Sequence, residues 1–148
     1  MNSLSTDRQS CFRKLNYYKY QLVEDFHIEI EMRPAIPVET RYLSLSDLGQ
    51  LIVKKGYSWD GPSGPTIDTA TFMRGSLVHD VLYQLMRMDI LDHSDSREYA
   101  DRLLKKMCID DGMCRFRAWY VYTALRWWGE KSAVPTRDEP PQIDCTPA

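Results

Sequence analysis

The sequence lacks a long apolar run, a cysteine framework and an excess of charge of either sign, and each absence removes a class of protein. No stretch of its 148 residues approaches the roughly 18 consecutive apolar residues of a membrane span. The opening MNSLSTDRQSCFRK has no apolar signal-peptide core, so a soluble protein, made and kept inside a cell, is expected. Cysteine is sparse. Cys11, Cys108, Cys114 and Cys145 are too few and too scattered for a secreted disulfide scaffold, and no CxxC pair suggests a zinc knuckle. Cys108 and Cys114 bracket Gly112 with no histidine nearby in sequence, which argues against a thiol nucleophile. The 19 Lys and Arg residues nearly balance 21 Asp and Glu, so no nucleic-acid partner and no general attraction to an anionic membrane are expected.

What is present suffices for a folded core: 43% of the residues are hydrophobic, and the length is that of one ordinary domain. The expectation is a flexible N-terminus over residues 1–14 and a single α+β domain over 15–130. A proline-rich, charged and flexible tail is expected over 131–148. From Tyr17 the run YYKYQLVEDFHIEIEM is rich in aromatic and β-branched residues. Within it Phe26, Ile28, Ile30 and Met32 alternate with His27, Glu29 and Glu31, the pattern of a half-exposed strand. After Pro34 and Pro37, TRYLSLSDLGQLIVKKGYSW reads as two strands around a turn at Ser46-Asp47-Leu48-Gly49, completing a small antiparallel sheet.

The character changes at Asp60. WDGPSGPTIDT holds two glycines and two prolines in eleven residues and must be a rigid loop. Beyond it the period becomes helical. Val78, Val81, Leu82 and Leu85 form the apolar stripe of a helix running from about Thr69 or Thr71 to Met88. Ser94 or Ser96 is placed to cap a second helix near Arg97 to Asp110, with Tyr99, Ala100, Leu103 and Met107 as its packed face and Gly112 just past its end. In the third helix, CRFRAWYVYTALRWWG, the residues Phe116, Trp119, Tyr120, Thr123 and Trp127 share one side, read as packing rather than as a lipid-docking platform.

Within the first helix, SLVHDVLY sets two ionisable residues in an apolar run. His79 and Tyr83, four residues apart, share a face, while Asp80 lies about 100° further round, toward the loop that precedes the helix. Two helices joined by a short connection normally lie antiparallel, which brings Asp101 opposite His79. A histidine held by a buried carboxylate has a fixed tautomer and raised basicity, and its other nitrogen can deprotonate water. Asp80, with backbone carbonyls turned inward by the loop glycines, offers the hard oxygen set that calcium takes. Such a cation would stabilise an oxyanion. These parts suit ester hydrolysis by metal-assisted attack of water. Alternatives stay open: Asp80 bonded to loop amides would tie helix to loop without a metal, and Asp101 paired with Arg74, Arg97 or Arg102 would be a structural bridge. A transition-metal phosphohydrolase assembled from His27, His93 and the HD pair is disfavoured, because His27 reads as an exposed strand position and His93 as part of a connection.

His79-Asp80-Val81-Leu82-Tyr83 resembles the HDxxY core of the phospholipase A2 superfamily, and Ala100-Asp101-Arg102-Leu103-Leu104 is similar to that family's second-helix aspartate. The Trp59-Asp60-Gly61-Pro62-Ser63-Gly64 loop is similar to the calcium loop of its viral and bacterial branches. This resemblance implies His79 as base, Asp101 as its orienting carboxylate, Tyr83 as a hydroxyl supporting the pair and Asp80 as calcium ligand. The carbonyls of Trp59, Gly61 and Gly64 would complete the calcium shell. Phospholipid or another ester would be the substrate. The pattern departs from that superfamily in three ways: no cysteine stands immediately before His79 or three positions after it, the loop has an extra residue between Pro62 and Gly64 relative to the viral pattern, and the N-terminal half is β-rich. A second resemblance spans roughly residues 15 to 130. GYSWDGPSGP, SLVHDVLY, REYADRLLKKM and WYVYTALRWWG together resemble an uncharacterised family of bacteriophage and prophage proteins, which implies the fold and a phage context but no activity.

The expectation is therefore an α+β protein, a small N-terminal antiparallel sheet followed by three helices. It would be either a phage-associated hydrolase of phospholipase A2-like mechanism, assisted by calcium, or a phage assembly, tail or host-interaction protein in which the HD motif is structural. It would act in the cytoplasm of the infected host or in the virion, with other phage proteins as partners in the second case.

Overall fold

A computed structural model describes residues 12–14, 20–59 and 70–128. The architecture is α+β, with strands in the N-terminal half and three helices after them, and the described residues fall into two compact units, one up to Trp59 and one from Ala70 to Trp128. The sequence reads as a single domain over 15–130. Phe12–Lys14, inside the segment assigned to the N-terminus, is a strand.

The N-terminal unit holds two antiparallel sheets rather than one. Strands β1 (Phe12–Lys14), β2 (Tyr20–Leu22) and β7 (Ser58–Trp59) pair in the order β1-β2-β7. Strands β3 (Phe26–Glu29), β4 (Val38–Glu39), β5 (Leu43–Leu45) and β6 (Gln50–Val53) pair in the order β3-β6-β5-β4. The single sheet expected from YYKYQLVEDFHIEIEM is split because both long strands bend at the same level. At Val23–Asp25 the Asp25 carboxylate accepts the Lys55 N–H at 2.7 Å. Opposite it the Lys54–Tyr57 turn returns to Leu22 through Leu22 N–H to Tyr57 O at 2.8 Å and Gly56 N–H to Leu22 O at 2.9 Å. Past the bend the alternation holds over its centre: Phe26, Ile28 and Ile30 are buried and Glu29 and Glu31 exposed, while His27 and Met32 are half-buried. The β5–β6 turn falls where the spacing places it. Gly49 adopts φ +84°, donates to Ser46 O at 3.1 Å, and leaves no room for a Cβ, which would overlap the Ile30 carbonyl.

In the second unit, α1 (Ala70–Arg87), α2 (His93–Asp110) and α3 (Arg115–Trp128) follow one another. The stripe Val78, Val81, Leu82 and Leu85 is buried as expected, but so is every other residue from Phe72 to Met86 except Asp80. A helix enclosed on all sides is a central core element rather than an amphipathic surface one. It ends with Asp89 at φ 58°, a left-handed residue that directs the Ile90 N–H back to Leu85 O at 3.0 Å.

The second helix starts four residues earlier than expected. Its cap is Asp92, not Ser94 or Ser96: the Asp92 carboxylate accepts the N–H groups of Ser94 and Asp95 at 2.9 and 3.1 Å, and a negative charge there suits the helix dipole. Its buried face is Ser96, Ala100, Asp101, Leu104, Met107 and Cys108, with Tyr99 and Leu103 only half-buried, so the packed face is turned by about one residue from the expected one. The end is as predicted, with Gly112 at φ +103° and Met113 N–H donating to Cys108 O at 2.8 Å.

For α3 the expected packing face is overturned. Ala118 and Val121, with Leu125, pack on Phe72, Leu104, Cys108 and Met113, whereas Phe116, Trp119, Tyr120 and Trp127 are 75%, 52%, 56% and 74% exposed. Small side chains on the inner face let α3 close onto α2, and the bulky aromatic stripe is left outside. Among the described residues no helix is long and apolar enough to cross a membrane.

Candidate active site

The site is built where α1 and α2 pack closely against each other. A Cβ on Gly75 would come within 2.8 Å of Leu104 Cδ1 and 3.2 Å of Cys108 Sγ, so glycine in mid-helix is the condition for this approach. One turn further along α1 stands His79, and about one turn back along α2 stands Asp101. The imidazole Nε2 lies 2.8 Å from Asp101 Oδ1. A turn beyond, the Tyr83 hydroxyl donates to the same oxygen at 2.7 Å, with its ring packed on the imidazole at 4.1 Å between centroids. The other oxygen, Oδ2, accepts from Arg126 Nη1 of α3 at 3.3 Å. Asp101 is 0% exposed and His79 6%, so a buried carboxylate is compensated by three donors from two helices.

Bonding at Nε2 determines what the imidazole offers. The carboxylate accepts the Nε2 proton, so in the neutral ring the lone pair is on Nδ1. Nδ1 faces Asp80, whose Oδ1 is 3.8 Å away, too far for a direct hydrogen bond. Asp80 is the one residue of the central stretch of α1 that keeps contact with solvent, its side chain 35% exposed. Burial alone would push the His79 pKa down, but the hydrogen bond to Asp101 and the charges of Asp80 and Asp101 outweigh it, leaving the value raised above 6.5. Burial, then the Asp101 carboxylate, push the Tyr83 phenol well above its ordinary range, so Tyr83 stays a hydrogen-bond donor. Burial pushes the Cys108 thiol up to about 12, which keeps it a packed apolar residue rather than a nucleophile.

The arginines expected near Asp101 are engaged elsewhere. Arg74 forms a two-point bridge with Asp111 at 2.9 and 3.1 Å, and Arg102 pairs with Glu98 on the surface. Arg97 donates to the carbonyls of Leu125 and Arg126 at 2.8 and 2.7 Å, anchoring the end of α3 on α2 and so placing Arg126 over Asp101. Sequence reasoning missed Arg126. Its only local signal is a lone charge beside two tryptophans, at a position that flanks the inner face of the third helix.

Of the residues assigned to a calcium shell, Gly61 and Gly64 lie outside the described residues. Trp59 ends β7 in the N-terminal unit, packed against Tyr20 at 5.6 Å between ring centroids. Asp80 fits the donor chemistry of a hard cation, being a partly exposed carboxylate. Among the described residues no group of three or more His, Cys, Asp or Glu side chains is placed to hold a metal ion. His27 is a half-buried residue of β3. His93 is not in a connection but opens α2, about 12 Å along the helix axis from Asp101.

Fold and site thus define an α+β protein organised around a buried histidine–aspartate pair shared by two antiparallel helices. The chain belongs to the family described as "Protein of unknown function (DUF1353)", which matches residues 36–125 and so includes His79, Asp80, Tyr83 and Asp101. No curated protein and no solved structure matches it.

Proposed function

We propose that this protein is a hydrolase in which His79, held by Asp101 and Tyr83, activates water for attack on an ester, with phospholipid as the substrate class. The observation that carries the reading is the orientation of one ring: Nε2 is committed to a fully buried carboxylate at 2.8 Å, and Nδ1 faces Asp80, the one residue between Phe72 and Met86 that is not buried. A water about 2.8 Å from both Nδ1 and the Asp80 carboxylate fits their spacing. Nδ1 would take a proton from that water as its oxygen bonds to the ester carbon. The imidazolium, stabilised by Asp101, would return the proton to the departing alkoxide as the acyl C–O bond breaks, giving a carboxylic acid and an alcohol.

Asp80 would also supply a carboxylate oxygen to calcium, which when bound stabilises developing negative charge on the carbonyl oxygen. The likeness of the GYSWDGPSGP to WYVYTALRWWG run to phage and prophage proteins supports a phage setting, in the host cytoplasm or the virion. The test is release of fatty acid from phospholipid. Calcium-dependent release that disappears in His79→Gln is expected, and no activity on any ester, with or without calcium, would overturn the hydrolase.

A second reading is favoured by the same burial. Asp101 joins α1, α2 and α3 through His79, Tyr83 and Arg126, which is also how a non-enzymatic phage assembly or host-interaction protein would lock its helices. It requires that His79→Gln leave phage function intact whenever the protein folds, and that the purified protein bind no calcium.

A further inference from the structure

The exposed face of α3 is at odds with the sequence expectation and with the rest of the molecule. At about 100° per residue, Phe116, Trp119, Tyr120 and Trp127 fall within a narrow stripe, opposite Ala118, Val121 and Leu125. Arg115 and Arg126 lie along one flank of the stripe and Arg117 along the other, and the helix contains no Asp or Glu. Lys105 of α2 adds a cation on the Arg115 and Arg126 side, its ammonium 5.4 Å from the Tyr122 ring centre. Asp101 offsets Arg126 at 3.3 Å, which leaves Arg115, Arg117 and Lys105 as the cations flanking the stripe, on a chain whose formal charge is −2.

We infer that the outer face of α3 docks on an anionic phospholipid surface, with the aromatic stripe at the level of the headgroups and Arg115, Arg117 and Lys105 over their phosphates. Trp and Tyr prefer such an interface because an apolar ring and a polar edge are satisfied together, and flanking arginines add attraction to anionic lipid. The charge pattern also disfavours a second copy of the chain, since pairing two such stripes sets arginine rows against arginine rows. Three arginines on one helix are too few for a phosphate-tracking nucleic-acid groove. The inference deepens the proposed function and rests on it for the choice of phospholipid: Arg126, on the flank of this face, also bonds the Asp101 carboxylate, so the docking helix and the dyad share one side chain.

The experiment is co-sedimentation of the full chain with vesicles of phosphatidylcholine alone or mixed with phosphatidylglycerol, in chelator so that binding is independent of calcium. Binding to the anionic vesicles that weakens with salt is expected, as is a loss of about tenfold or more in Trp119→Ser/Trp127→Ser and in Arg115→Glu/Arg117→Glu. Circular dichroism and thermal midpoint should stay close to the parent, because the replaced side chains lie outside the core. His79→Gln should bind vesicles like the parent. Docking that persists without hydrolysis sinks only the hydrolase, and hydrolysis of dispersed ester without docking sinks only this inference. No binding to anionic vesicles, binding unchanged in both double variants, or a dimer in solution that the same variants dissociate would each overturn it.

Discussion

The two units bury different things. Among the described residues of the N-terminal unit the one buried polar side chain is Gln21, whose amide donates to Gly56 O at 3.1 Å. The helical unit buries Arg74, Ser76, His79, Gln84, Ser96 and Asp101. Their surfaces differ as well: Tyr20, Tyr42, Tyr57 and Trp59 are buried in the first, whereas α3 of the second turns a stripe of aromatic rings outward. Burying a charge costs stability unless every group is paired, and exposing large rings forgoes the burial that would stabilise the fold. A chain that only needed to fold could build its helices as it builds its sheets. The difference gathers the buried ionisable groups and the exposed rings in the helical unit, which is where the proposed function places its site.

Substitutions that break this contrast should scale with the charge they strand. Asp101→Ala leaves His79, Tyr83 and Arg126 without their common acceptor, and a loss of about 3–5 kcal/mol in urea unfolding is expected. Gln21→Ala in the N-terminal unit removes one neutral hydrogen bond and should cost about 1 kcal/mol. Equal losses would erase the distinction. Gly75→Ala gains helix propensity but drives a methyl into Leu104 and Cys108. A net loss of about 1–2 kcal/mol is expected, with a weakened His79–Asp101 bond visible as a His79 pKa closer to 6.5.

The pH dependence has a definite sign. Because the folded His79 pKa lies above 6.5, its stabilisation is fully present below about pH 6.5 and is lost as pH rises through the raised folded value. Stability measured in chelator should therefore decline over that rise in the parent and lose this component in His79→Gln. The smallest effect concerns a residue outside the site. Asp89 occupies a left-handed conformation at φ 58°, and Asp89→Gly should raise stability by about 0.5–1 kcal/mol without changing the behaviour of His79.

The residues of the dyad were legible in the sequence because they depend on local periodicity. His79 and Tyr83 are one helical turn apart, and a short connection forces the next helix back alongside, so Asp101 had to come near. What the sequence concealed depends on contacts between elements. Which stripe of α3 faces inward was decided by how closely small residues let it approach α2, and hydrophobicity favoured the wrong side. Arg126 reaches Asp101 only because Arg97 anchors the end of that helix. The split of the sheet came from paired bends at Val23–Asp25 and Lys54–Tyr57, where a side-chain carboxylate replaces a ladder bond. The cap at Asp92 was obscured by two serines just beyond it that could serve the same role.

Nitrogen NMR of His79 in the full chain reads directly which imidazole nitrogen is committed to the Asp101 carboxylate. The prediction is a neutral ring protonated at Nε2, titrating above 6.5 in the parent and shifting downward in Asp101→Asn. A ring protonated at Nδ1, or one whose titration is the same in parent and Asp101→Asn, would contradict the claim that Asp101 holds His79 as a base.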